Sequence, residues 1–180
     1  MNIYLVRHCL AEGQEPNANL TIKGREQAEQ LANLLQNKKI NSIICSPYAR
    51  AKQSIQPFAD QSKLTIEMDQ RLIERILSPI PCTDWLPLLQ KSFSDMDFCV
   101  EGGESNRTAM IRGISVIEDT MVNHRSAVLV THGNLLTLML HYFDSYYGYE
   151  TWSQMTNPDL YKLTWEENKY LIERLWSEDK

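Results

Sequence analysis

Hydrophobic and polar positions alternate along this chain in two rhythms, short apolar runs and a repeat of three to four residues. Residues 2–6 carry the run Ile3-Tyr4-Leu5-Val6, the pattern of a buried strand. A polar loop over 12–19 follows, holding Gly13 and Pro16. Thr21 then stands as an N-cap ahead of Ala28, Leu31, Ala32 and Leu35 at i, i+3, i+4 and i+7, which predicts the first helix. Lys38 and Lys39 are placed in its last turn, where cations complement the helix dipole. A second strand is predicted over 40–45. Ser46-Pro47 reads as an N-cap with proline at the first helical position, opening a helix with Ala51, Ile55, Phe58 and Ala59 inward.

A short strand is expected over 64–68. Residues 104–124 predict a long helix with Met110, Ile114, Ile117 and Met121 on one stripe. The run Ala127-Val128-Leu129-Val130 is the clearest core strand, and 134–143 a buried helix after it. Residues 160–165 and 170–176 predict a hairpin turning at Glu167-Asn168 on the sheet's edge. Between these elements lies an irregular stretch, 76–100, with Pro79, Pro81 and Pro87 and a short helix over 85–93. It is expected as an insertion packed over the sheet edge of one domain spanning 1–180. Its Trp85, Phe93 and Phe98 are candidates for an apolar pocket wall, with core packing the alternative use of each. The alternation of strand and helix predicts an α/β fold, a three-layer α/β/α domain with a mostly parallel central sheet.

Composition narrows the function classes. With 180 residues there is enough chain for a substantial core. A net charge of -5 disfavours nucleic acid or a membrane surface as partner, while a small anion can still meet a local positive cluster. The apolar stretch 135–143 is broken by Thr137 and His141 and is too short to span a bilayer. No basic segment precedes an apolar one at the N-terminus, so a cytoplasmic setting is expected. Cys9, Cys45, Cys82 and Cys99 show no Cys-x-x-Cys spacing. Free thiols are expected, with no metal site, no disulfide framework and no cofactor.

Four places carry candidate chemistry. Arg7-His8 ends the first strand, Arg50 lies one turn into the following helix, and Thr131-His132-Gly133 follows the core strand. Glu74, in Arg71-Leu72-Ile73-Glu74-Arg75, lies just past the third strand. Alone, Arg7-His8, Arg50 and Glu74 read as an ordinary strand end or surface charges, while His132, between a core strand and a buried helix and flanked by glycine, reads equally as structural or functional. If the strands are parallel, their ends bring Arg7, His8, Arg50 and His132 to one sheet edge, where open α/β sheets bind ligands. Two guanidiniums match the oxygens of a phosphoryl group bidentately, and the Ser46-Pro47 helix is expected to add backbone N–H donors. One imidazole can then attack phosphorus while the cations stabilise the equatorial oxygens.

This order of segments resembles the histidine phosphatase superfamily, the phosphoglycerate mutase-like proteins. The likeness rests on Leu5-Val6-Arg7-His8, Asn19-Leu20-Thr21-Ile22-Lys23-Gly24 with Gln27-Ala28, and Ser46-Pro47-Tyr48-Ala49-Arg50-Ala51-Lys52-Gln53. Arg71-Leu72-Ile73-Glu74, Gly102-Gly103-Glu104-Ser105 and Val130-Thr131-His132-Gly133 complete it. The resemblance implies a phosphoglycerate mutase-like fold and assigns His8 as the nucleophile that becomes phosphohistidine. It implies that Arg7, Arg50 and His132 bind the phosphoryl group, with Gln14 and Gly133 also at the substrate. Glu74 would be the acid for the leaving oxygen and then the base for water, with no metal needed.

The chain departs from the family pattern beside the nucleophile. Cys9 replaces a glycine, so the backbone there is expected to avoid positive φ or to tolerate strain. Ala11 removes a hydroxyl that would reach phosphate, and Gln14 stands where some members have asparagine. The insertion is short for a mutase lid, so water should reach the phosphoenzyme. The reading is a metal-independent phosphomonoesterase acting on a small phosphorylated metabolite. The alternatives are phosphoglycerate mutase-type transfer and, from Cys9 and Ala11, a catalytically lapsed phosphate-binding protein.

Overall fold

The structure, a computed structural model, describes residues 2–123, 126–167 and 169–176. Four parallel strands form its centre: β1 (Asn2–Arg7), β2 (Ser42–Cys45), β3 (Ile66–Met68) and β4 (Ala127–Thr131). β5 (Asp159–Glu166) and β6 (Lys169–Arg174) add an antiparallel hairpin at one side, giving the order β3-β2-β4-β1-β5-β6. The expected α/β architecture with a mostly parallel sheet is therefore present. The hairpin's turn residue Asn168 lies outside the described residues.

Period-two alternation divides the central strands between two cores. Ile3, Leu5, Ala127 and Leu129 face one side and pack on α4 (Asn106–Val122) and α5 (Gly133–Phe143). Tyr4, Val6, Val128 and Val130 face the other side and pack on α1 (Ile22–Gln36) and α2 (Ala49–Ser62). That is why β1 and β4 read as continuous apolar runs: both faces are buried. No helix among the described residues is long and apolar enough to cross a membrane.

Helix ends differ from expectation where the loop chemistry competes. Thr21 caps α1 as expected, its Oγ1 accepting the Gly24 N–H at 2.9 Å. α1 ends at Gln36, however, so Lys38 and Lys39 lie past its C-cap. The Lys38 N–H bonds the Leu35 carbonyl at 2.9 Å and turns the chain toward β2. Ser46-Pro47 does not cap α2; Tyr48 holds that position and the helix starts at Ala49. The Ser46 N–H is still part of the sheet, donating to the Val130 carbonyl at 2.9 Å, and its hydroxyl has another partner described below. α4 is capped by Ser105 and is shorter than the pattern suggested; His124 lies outside the described residues.

The irregular stretch forms α3 (Trp85–Ser94), near its expected limits. A short helix, α6 (Tyr149–Gln154), was not legible in the pattern. It follows a loop rich in tyrosine and has no buried face to impose a period.

Candidate active site

Strand register sets the site. Arg7 pairs with Thr131 across β1 and β4, and Cys45 pairs with Val130 and Met68. The residues after these strand ends therefore emerge level at the carboxyl edge of the sheet. His8, its N–H bonded to the Thr131 carbonyl at 3.0 Å, stands beside His132, which follows β4. Their ring centroids are 5.1 Å apart.

The His8 imidazole donates from Nδ1 to the Cys9 carbonyl at 2.7 Å, because that oxygen can only accept. Its Nε2 therefore carries the lone pair, and accepts Arg50 Nε–H at 3.1 Å. His8 is 6% exposed. Burial pushes its pKa down to about 3; the Cys9 carbonyl opposes this, and Arg50 and Arg7 reinforce it. The ring is neutral at neutral pH.

Arg50 is 1% exposed, projects from the first turn of α2 and donates Nη1 to the Gln14 and Glu15 carbonyls at 3.0 and 2.8 Å. Burial lowers its pKa, while Glu74, Tyr48 and Glu15 favour the charged form. Its helix is tied to the loop after His8 through Ser54. The Cys9 N–H donates to Ser54 Oγ at 2.8 Å, and that hydroxyl donates to the Arg50 carbonyl at 2.6 Å.

Arg7 donates Nη1 to the Met155 carbonyl at 2.7 Å, while its buried Nε has no partner among the described residues. Its guanidinium lies against Gly133, where an added Cβ would come within 3.1 Å of Cζ. A side chain at position 133 would press on this guanidinium and shift it by a few tenths of an ångström.

His132 is fully buried. Its Nε2 lies 2.8 Å from Ser46 Oγ, and its Nδ1 has no partner among the described residues. Burial holds its pKa well below the usual histidine range, and His8 and Arg50 push the same way. Ser46 Oγ also accepts the Tyr48 N–H at 3.4 Å.

Glu74 occupies the N-terminus of α5. Its carboxylate accepts N–H bonds from Asn134 at 3.1 Å, Leu135 at 3.0 Å and Arg75 at 2.9 Å. The first amide of α2, expected to serve the site, is taken by the Pro16 carbonyl at 2.8 Å. The N-terminus of α5 also lies at this site, and the Glu74 carboxylate holds it.

Arg7, Gln14, Arg50, Glu74 and Gly133 all line one cavity of about 720 Å³. His8 and His132 are not among its lining residues but contact two that are: His8 is 3.1 Å from Arg50, and the His132 ring lies 5.0 Å from that of Tyr48. Ala11 does not line the cavity; it bridges to Leu20 within its own loop. Cys9 takes no left-handed conformation, since the described non-glycine residues with positive φ are Lys63 and Glu167. Its thiol is buried and pushed up to about 12, so it is inert. Of the three aromatic candidates only Trp85 lines the cavity. Phe93 packs against the core and Tyr149, and Phe98 lies under Lys91.

Several contributors went unread in the sequence. Ser46 bonds His132, and Ser54 ties α2 to the loop after His8. Asn157 donates Nδ2 to the His8 carbonyl at 2.8 Å, and Trp152 closes the far cavity wall. Only Ser46 had a signal, its place directly after a core strand.

The family model for the histidine phosphatase superfamily (branch 1) matches residues 3–178. The chain belongs to the histidine phosphatase superfamily. The uncharacterized protein Rv0525 of Mycobacterium tuberculosis is 32% identical over 79 residues, a match covering 40% of this chain and 39% of that protein. Among solved structures, mycobacterial glucosyl-3-phosphoglycerate phosphatase Rv2419c with inorganic phosphate superposes with a TM-score of 0.78. That likeness has 19% identity and covers 97% of this chain and 96% of the other. Bacillus stearothermophilus YhfR also gives 0.78, at 19% identity over 96% and 95% of the two chains. A phosphoserine phosphatase variant from Entamoeba histolytica with phosphoserine gives 0.74, at 18% identity over 95% and 94%. At such identities the likeness is one of fold. The histidine phosphatase neighbours include phosphatases.

Proposed function

We propose that this chain is a metal-independent phosphomonoesterase that works through a phosphohistidine on His8. The observation that carries the reading is the neutral His8 ring, with its Nε2 lone pair directed at Arg50 beside the cavity. In the first step the Nε2 lone pair forms a bond to phosphorus and the bond to the ester oxygen breaks. Arg7 and Arg50 hold the charge on the equatorial oxygens, and Glu74 gives a proton to the departing alcohol. Water then attacks phosphorus, Glu74 takes its proton, and the phosphorus–nitrogen bond breaks to release phosphate. His132, kept in one orientation by Ser46, donates Nδ1–H to a phosphoryl oxygen in this scheme.

Hydrolysis is favoured over mutase-type transfer by the exposed cavity rim: Ile80 is 71% exposed and Trp85 47%. Such a wall admits water to the phosphoenzyme. The substrate is a small phosphorylated metabolite, in a cytoplasm that keeps the four thiols reduced.

The test compares wild type with His8→Ala on p-nitrophenyl phosphate. The wild type is expected to turn over and the variant to lose on the order of 10³-fold or more, as enzymes do without their nucleophile. Equal rates, or two inactive proteins, would sink the assignment. Rapid conversion of 3-phosphoglycerate to 2-phosphoglycerate, primed by a trace of the bisphosphate, would overturn the choice of hydrolysis.

A further inference from the structure

Beyond Glu74 the cavity changes character. Its inner end carries Arg7, Arg50 and Glu74, whereas its outer wall is Ile76, Leu77, Ile80, Trp85, Leu89 and Trp152. Five of these come from the stretch between Glu74 and the end of α3; Trp152 comes from α6. The two indoles meet edge to face, with centroids 6.0 Å apart and planes at 79°. Tyr149 stacks on Trp152 at 5.7 Å and 28°. Trp152 is thus fixed by two rings, and Trp85 leaves nearly half its surface open. Ile76 is 44% exposed on the same rim. Exposed apolar side chains grouped around a cavity mark a binding surface.

The polar groups beside this wall are few, and two of them, Arg75 Nη2 and Asn134 Oδ1, have no partner among the described residues. Arg75 donates Nε to the Glu104 carbonyl at 2.8 Å and Nη1 to Ser92 Oγ at 3.0 Å. Ser78 donates its hydroxyl to the Ile80 carbonyl at 2.8 Å. Glu74, the cavity's acidic residue, accepts three backbone N–H bonds and is assigned to the leaving-group proton. The outer wall itself is mainly apolar, and its one hydroxyl, Ser78, is bonded within its own turn.

The geometry points to a substrate class: phosphate monoesters of alcohols bearing an aromatic or extended apolar group, seated against Trp85 and Trp152. This inference rests on the phosphomonoesterase reading. Aromatic pairs at such distances add specific attraction to simple burial. Each apolar increment in a fitted pocket is worth about 10–200-fold in discrimination.

The test measures kcat/KM for 3-phenylpropyl phosphate, n-propyl phosphate and glycerol 3-phosphate, all of which leave as primary alcohols. The phenylpropyl ester is expected to exceed the propyl ester by about tenfold or more. Trp85→Ala and Trp152→Leu should each bring the phenylpropyl-to-propyl ratio of kcat/KM down toward one. Trp85 is half-exposed, so its variant folds even if Trp152→Leu does not. Equal rates for the two alkyl esters, or glycerol 3-phosphate as the best substrate, would overturn the substrate class and leave the phosphatase reading standing. Should no ester be hydrolysed, calorimetric titration with 3-phenylpropylphosphonate separates the two ideas. Binding weakened about tenfold by Trp85→Ala keeps the ligand class while hydrolysis fails; no binding overturns both.

Discussion

The two ends of the cavity are built by opposite means. At the inner end, His8, Arg50 and His132 are buried and follow strand ends or the first turn of a long helix. Each is held by bonds to the backbone or to a buried hydroxyl: Cys9, Gln14, Glu15 and Ser46. At the outer end, Ile80 and Trp85 are exposed and belong to an irregular segment and a short helix. Charge acting on a transition state needs fixed geometry, so it sits on rigid elements. Apolar contact with a leaving group tolerates looser placement, so it sits on loops. On the proposed function this is a division of labour, with the chemistry at the sheet edge and the choice of ester at the insertion and α6.

Changes at the inner end should therefore cut turnover of every ester alike. Glu74→Gln keeps an acceptor oxygen at α5 but cannot supply a proton. Alkyl esters are expected to lose roughly 10²–10⁴-fold in kcat, with a much smaller loss for p-nitrophenyl phosphate, whose phenolate leaves unaided. An equal loss on both substrates would remove Glu74 from proton transfer. Arg50→Lys preserves the charge but not the planar fork that bridges His8 and the Gln14–Glu15 carbonyls. It should cost on the order of 10²-fold in kcat/KM, by the same factor for phenylpropyl and propyl esters. A loss confined to one ester would blur the division between the two ends.

The smallest effect concerns stability. The His8 pKa is about 3 in the folded chain and about 6.5 when unfolded, so the unfolded state binds the extra proton between those values. Stability should accordingly fall as pH drops below about 6.5, by at most about 1.4 kcal/mol per pH unit from one histidine. His132 acts in the same direction. Urea midpoints at pH 7 and pH 5 check this, and His8→Asn should flatten the dependence. A wild-type midpoint unchanged between those pH values would contradict the buried, neutral state of the ring.

The sheet and the inner end were legible because their signals are local. β1 and β4 are apolar runs ending in Arg7-His8 and Thr131-His132-Gly133, and Thr21 is a cap whose partner lies three residues away. Ser46 was misread as a cap because its hydroxyl bonds His132, 86 positions further along, and no local pattern encodes that contact. The capping of α5 by Glu74 joins residues about 60 apart and was hidden for the same reason. Trp152 lies on a six-residue helix with no buried face, so no periodicity announced it. The outer wall is the least legible part of the molecule because it is assembled by tertiary contact alone.

The central claim is that His8 carries the phosphoryl group between its two transfers. Rapid quenching of the enzyme during turnover of a phosphorus-labelled ester tests it most directly. The account predicts acid-labile, base-stable label on His8, absent from His8→Ala. Steady turnover of the ester with no such label on the protein would contradict it.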